Sequence, residues 1–218
     1  MNRLCSLFSR DRRLAVAALT ALCLVVPARA EQATISVLDD AGAPVADAVV
    51  SLTSPDPALN ADPSTAQRAV MAQRNKQFVP HVLPVRAGTT VRFPNHDEFR
   101  HQIYSFSKPK VFEISLYGGD EEKRETFDKT GVVALGCNIH DTMLGYIYVL
   151  DTDHFAVTGD DGEARIDGLK PGEYTIAVWH PRRRGEAVDQ HATIIAGAPV
   201  SAQFRVSLKP PVVPAGAP

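Results

Sequence analysis

Residues 135–149, LGCNIHDTMLGYIYV, decide how this chain is read. Two strand-like runs flank a short loop. Cys137, His140 and Met143 fall three residues apart on that loop. A thiolate, an imidazole and a thioether at this spacing can converge on one soft metal ion. A trigonal site with a weak axial thioether needs a second imidazole. Residues 91–107, VRFPNHDEFRHQIYSFS, supply it: a strand, a turn over 94–98, then His101 at the start of the next strand. His101 precedes Cys137 by 36 residues. That distance leaves room for another strand and a long loop to return to the same pole of a Greek-key sandwich.

Other readings of the same residues remain open at this point. A Cys–His pair can be a nucleophile and its base, which leaves Met143 and the second histidine without a role. Zinc prefers more thiolate or imidazole ligands than this set offers. A third reading is a buried cysteine with unrelated surface histidines and a core methionine. His81, His96 and His154 are competing imidazoles, with His96 in the turn and expected to face solvent or to sit behind the ligands. His180 and Trp179 are expected at a strand end and in the core of a second sandwich. Arg182, Arg183 and Arg184 are expected at a solvated hairpin tip, or as a docking patch for an acidic partner.

Working outward, the cysteine count sharpens the case. Residues 1–30 carry Arg3, Arg10, Arg12 and Arg13, an apolar run over 14–26, and a small-x-small end at Ala28-Arg29-Ala30. This is the pattern of a secretory signal peptide cut after Ala30. Cys5 and Cys23 leave with it, so Cys137 is the lone thiol of an exported protein, where thiols usually pair. Cleavage leaves 188 residues with 18 basic and 24 acidic side chains, a net charge near −6. That balance argues against nucleic acid and anionic membrane surfaces as partners. No second apolar run reaches transmembrane length, so the mature chain is expected to lack a membrane span.

The remainder reads as short β runs punctuated by Gly and Pro, with no long 3.6-residue apolar stripe. Residues 34–54 read as strand, turn at Asp39-Asp40-Ala41-Gly42, and strand. In the block 78–150, strands are expected near 82–85, 89–94, 102–106, 132–135 and 145–150. A short helix or irregular loop is expected over 64–75, and a long charged loop over 117–129. The block 155–208 has turn signals at Asp160-Asp161-Gly162 and Lys170-Pro171-Gly172. Residues 209–218 read as a disordered tail.

Two family resemblances organise these blocks. Val37, Asp39, Gly42, Pro44, Val45, Ala48, Val50 and Leu52, with Thr158, Gly162, Leu169, Pro171, Gly172, Tyr174 and Val178, resemble a carboxypeptidase regulatory-like, transthyretin-like β-sandwich. The metal-loop motif resembles that of cupredoxins, most similarly amicyanin. The upstream Val91, Phe93, Asn95 and His101 match that family, as do Phe78, Pro80 and Gly88 before them. The whole chain resembles bacterial exported proteins labelled methylamine utilization proteins. Asp141 and Thr142 depart from the Pro-Phe frequent in close relatives, and the 117–129 loop is longer and more charged.

The resemblances imply an all-β chain: a Greek-key cupredoxin sandwich over 55–151, inserted into a regulatory-like sandwich over 31–54 and 152–208. They imply one type 1 copper ion held by His101, Cys137, His140 and Met143, with Asn95 steadying the first ligand's loop and the thiolate. The expected function is periplasmic electron transfer, without enzymatic activity, to a cytochrome or dehydrogenase partner. The alternative is copper binding or delivery, with docking through the second sandwich.

Overall fold

The computed structural model describes residues 31–61, 69–119, 121–185 and 189–211. The expected signal peptide and most of the expected tail therefore lie outside the described residues. The chain opens with β1 (Glu31–Leu38), β2 (Val49–Thr53) and one 3-10 turn (Pro57–Leu59). Nine strands follow: β3 (Ala72–Arg74), β4 (Gln77–Val79), β5 (Val82–Arg86), β6 (Thr89–Pro94), β7 (His101–Ser107), β8 (Lys110–Tyr117), β9 (Glu122–Phe127), β10 (Gly131–Gly136) and β11 (Leu144–Leu150). It closes with β12 (Phe155–Val157), β13 (Glu163–Leu169), β14 (Gly172–Trp179), β15 (Asp189–Ile194) and β16 (Val200–Arg205). The described chain is all-β, as its Val-, Ile- and Thr-rich alternation predicts.

The outer segments form two facing sheets. β1 lies between antiparallel β13 and parallel β16, and the other sheet runs β12-β2-β14-β15. The period of two along β1 turns Ala33, Ile35 and Val37 inward to meet Leu52, Ile176 and Phe204 in one core. The β1 turn closes as its sequence requires. The Asp39 side chain accepts the N–H groups of Ala41 and Ala43, and Gly42 takes a φ of +83°.

Among the described residues, the strands between β2 and β12 pair only with one another. Their main sheet runs β5-β11-β10-β7-β8, with β5 parallel to β11 and the rest antiparallel. The β6-β9 pair and the β3-β4 hairpin cover it. Phe78, Val91, Phe93, Ile103, Phe127 and Leu135 fill a second core that also holds Cys137 and Met143. A third cluster joins the two assemblies. Val49, Val82 and Leu150 are buried there, and Trp179 packs on Tyr146 and Tyr148 with ring centroids 5.8 and 5.1 Å apart. An Arg86–Asp153 ion pair at 2.6 Å flanks it.

Four expectations need correction. Residues 117–129 are not a plain loop, because β9 pairs with β6 along its length. Its charges are paired: Glu122 with Arg92 at 2.9 Å and Glu125 with Lys110 at 2.6 Å on other strands, and Arg124 with Glu122 at 2.9 Å along its own. The 64–75 segment ends in strand β3, whose Gln73 bridges Asn95 just past β6; residues 62–68 lie outside the described set. Trp179 is not in the core of its own sandwich. Tyr174, Ile176 and Val178 point inward, so alternation turns Trp179 to the opposite face and onto β11. The arginine turn is tied down rather than freely solvated. Arg183 donates to the Val178 carbonyl, and Arg182 donates to the Lys209 carbonyl and accepts the Lys209 N–H. That pairing involves Lys209, the first residue of the expected tail.

Candidate metal centre

Strand alternation delivers the thiol. Val133 and Leu135 of β10 face the core, and the same period turns Cys137 inward just past the strand's end. The loop then folds in two consecutive turns. The His140 N–H reaches the Cys137 carbonyl at 3.4 Å, and the Met143 N–H reaches the His140 carbonyl at 2.9 Å. These turns hold Cys137, His140 and Met143 on one compact loop, with Met143 buried in the same core cluster as Cys137. β7 brings the fourth. It pairs with β10 at Tyr104 and Gly136, which sets its first residue, His101, beside Cys137.

The thiol sulphur of Cys137 lies 3.8 Å from Nδ1 of His101 and 3.8 Å from Nδ1 of His140. The three donor atoms all lie within 4.8 Å of one another. The two imidazole centroids are 4.9 Å apart. His101 is fully buried, Cys137 and Met143 are nearly so, and His140 is half-buried. Cys137 is a free thiol. An ion about 2.0 Å from nitrogen and about 2.3 Å from sulphur, at a trigonal angle of about 120°, requires N and S roughly 3.7 Å apart. The observed spacing meets that requirement, and two imidazoles with one thiolate suit a soft or borderline metal such as copper.

The other histidines separate clearly. His96 is exposed in the turn, its N–H donated to the Gln73 carbonyl. His154 belongs to the outer sandwich, where Nε2 meets the Leu59 carbonyl and the ring packs on Tyr174. His81 sits beside the loop, with Nδ1 3.1 Å from the Leu144 carbonyl, and is exposed. His180 is buried beyond the end of β14 and accepts the Arg182 N–H on Nδ1. Burial first, then the Arg182 charge, push its imidazole down to about 4.

Asn95 is buried and builds the turn before His101. Its side-chain oxygen accepts the Asp97 N–H, and its amide donates to the carbonyls of Phe99 and Tyr117. These bonds steady the loop, as expected; the expected bond to the thiolate is not one of them. Two neighbours of the site escape the sequence reading. Asp97 Oδ2 accepts from Nε2 of His101 at 2.7 Å. Burial alone would raise the Asp97 carboxyl, but bonds from the Lys76 N–H, His101 and the Asn75 N–H outweigh it and hold it below its ordinary range. Phe99, 46 % exposed, stands edge-on to His101 at 5.9 Å and 6.0 Å from His140, so it shields the outer rim. An acidic residue four before His101 was the available signal for Asp97. Burial, followed by the charges of His101 and Lys76, lowers the His140 imidazole below its ordinary value.

No protein-family model matches this sequence, and neither does any curated protein. Solved structures do show partial likeness. A purple cupredoxin from Nitrosopumilus maritimus is 24% identical and aligns over 38% of this chain and 99% of its own, with a TM-score of 0.35. A Cu(I) form of an amicyanin variant is 19% identical over 46% of this chain and 99% of its own, with a TM-score of 0.36. A Cu-containing nitrite reductase from Thermus scotoductus SA-01 is 30% identical over 41% of this chain, with a TM-score of 0.37; the chain spans only 27% of that enzyme.

Proposed function

We propose that this is an exported type 1 copper protein whose central domain is cupredoxin-like and whose role is electron transfer. The convergence of His101, Cys137 and His140 at trigonal spacing, with Met143 buried on the same loop, carries this reading. Copper bound there supplies a one-electron couple. His101 and Cys137 hold their positions in a buried, hydrogen-bonded framework, which limits rearrangement between oxidation states. His140 is the ligand nearest solvent and gives electrons a way in and out. Met143 would be the fourth and weakest donor to the ion. A cytochrome or a dehydrogenase is the proposed partner, and no catalysis is assigned to the chain. The outer sandwich is proposed to be regulatory-like and to serve as a docking module. Export with cleavage after Ala30 is proposed on the Arg-rich start, apolar run and Ala-Arg-Ala end of residues 1–30.

Voltammetry of the copper-loaded mature protein tests the function. A reversible one-electron wave is expected, lost in Cys137→Ala. Tight Cu(I) binding without a reversible wave would instead support copper delivery.

A further inference from the structure

We infer that Asp97 is a positioning residue that fixes the ring of His101 for metal binding, and that the hairpin turn at Asn75 and Lys76 holds Asp97 in place. The inference rests on reading His101 as a metal ligand. A neutral imidazole carries one proton, on either nitrogen, and the partner of one nitrogen decides the state of the other. His101 is fully buried, with Nδ1 3.8 Å from the Cys137 sulphur and Nε2 2.7 Å from Asp97 Oδ2. A carboxylate only accepts, so the proton sits on Nε2 and the Nδ1 lone pair faces the thiol. A carboxylate behind a ligating histidine both orients the ring and raises its basicity.

Asp97 is itself oriented. Its Oδ1 accepts the Asn75 N–H at 2.6 Å, and its Oδ2 accepts the Lys76 N–H at 3.0 Å. Asn75 and Lys76 have φ of 54° and 58°. Two consecutive left-handed residues make the type I′ turn of a two-residue hairpin, and its N–H groups face one side. Here that side is the Asp97 carboxylate, so the tip of the β3-β4 hairpin is connected to the metal ligand through one side chain. The Lys76 ammonium lies 5.3 Å from the Phe99 ring centre and holds the turn against the same rim.

The metal-free protein provides the first test. Long-range nitrogen–proton NMR should find His101 as the Nε2–H tautomer in the wild type. Asp97→Ala should abolish the single tautomer. Asp97→Asn, whose side-chain oxygen still accepts from Nε2, should retain it. An Nδ1–H tautomer in the wild type, or an unchanged tautomer in Asp97→Ala, overturns the proposal. The wild-type result needs no variant to fold. The second test uses copper: Asp97→Asn removes a negative charge near the metal. It should shift the Cu(II)/Cu(I) balance at least tenfold toward Cu(I), or 59 mV for one electron; an unchanged potential overturns the electrostatic part. Failure of the copper reading is separately visible, because a colourless copper-loaded wild type leaves the metal-free NMR result standing.

Discussion

Gly145→Ala should destabilise the protein, although alanine is ordinarily the better residue inside a strand. Gly145 lies two residues after Met143, opposite Leu135 in the β10-β11 ladder. A Cβ there would sit 2.7 Å from Cβ of Phe78 and 3.0 Å from its Cγ and Cδ2. Phe78 is 2% exposed, and its Cβ is anchored to β4, so the ring has nowhere to retreat. Overpacking of this kind costs about 1–3 kcal/mol. Replacing a strand glycine recovers about 0.5–1 kcal/mol of backbone entropy. Because the overlap falls on an anchored Cβ, the upper part of that cost applies, about 2–3 kcal/mol, and the net expectation is a loss of about 1–2.5 kcal/mol. At an m-value of about 2 kcal/mol per M, the urea midpoint falls by roughly 0.5–1.3 M. Gly136→Ala is the internal control. Its Cβ would meet Tyr104 Cζ at 2.6 Å and Oη at 2.7 Å, but these atoms end a half-exposed ring that can swing outward. That variant should stay within about 0.5 kcal/mol of wild type. A Gly145→Ala protein as stable as wild type would refute the close packing of β4 against the metal loop.

Met143→Leu should keep copper and colour but raise the potential, because the axial bond is long and weak; loss of all copper binding, read by metal analysis, would make Met143 a principal ligand of another kind of site. His180 should contribute to pH-dependent stability. Its imidazole is depressed to about 4 when folded against 6.5 unfolded, so its contribution is complete above 6.5 and is lost as pH falls toward 4. The loss is at most about 3 kcal/mol. Urea midpoints at pH 7 and 4.5 should therefore converge in His180→Gln, and an unchanged pH slope would contradict the assignment. A chain trimmed to residues 62–151 should fold and bind copper alone, with reduced stability because Tyr146 and Tyr148 lose Trp179. A soluble but unfolded product on circular dichroism would mean that the two assemblies share one core.

Of the four expected ligands, His101, Cys137 and His140 come together in the structure, and each is anchored by a local rule. Cys137 continues the alternation of β10, the three-residue spacing repeats through two turns, and His101 opens a strand after an Asn-bearing turn. What stayed hidden depended on long-range partners. β9 looks like a loop because Glu122, Lys123, Arg124 and Glu125 have weak strand propensity; its pairing with β6 and cross-strand ion pairs override that. Asp97 gains meaning only when the β3-β4 hairpin arrives beneath it from more than twenty residues away. Trp179 carries the signature of a core residue, and only the neighbouring β11 turns its face into a junction.

The visible and electron paramagnetic resonance spectra of the oxidised, copper-loaded protein test the central claim most directly. A covalent bond between copper and the Cys137 sulphur should give an intense charge-transfer band, a blue to green colour and a small copper hyperfine splitting. Cys137→Ser should lose all three, because a hydroxyl is a harder donor and far less easily ionised. A folded wild type that binds one copper ion yet stays colourless on oxidation, with the wide hyperfine splitting of ordinary Cu(II), would contradict the account.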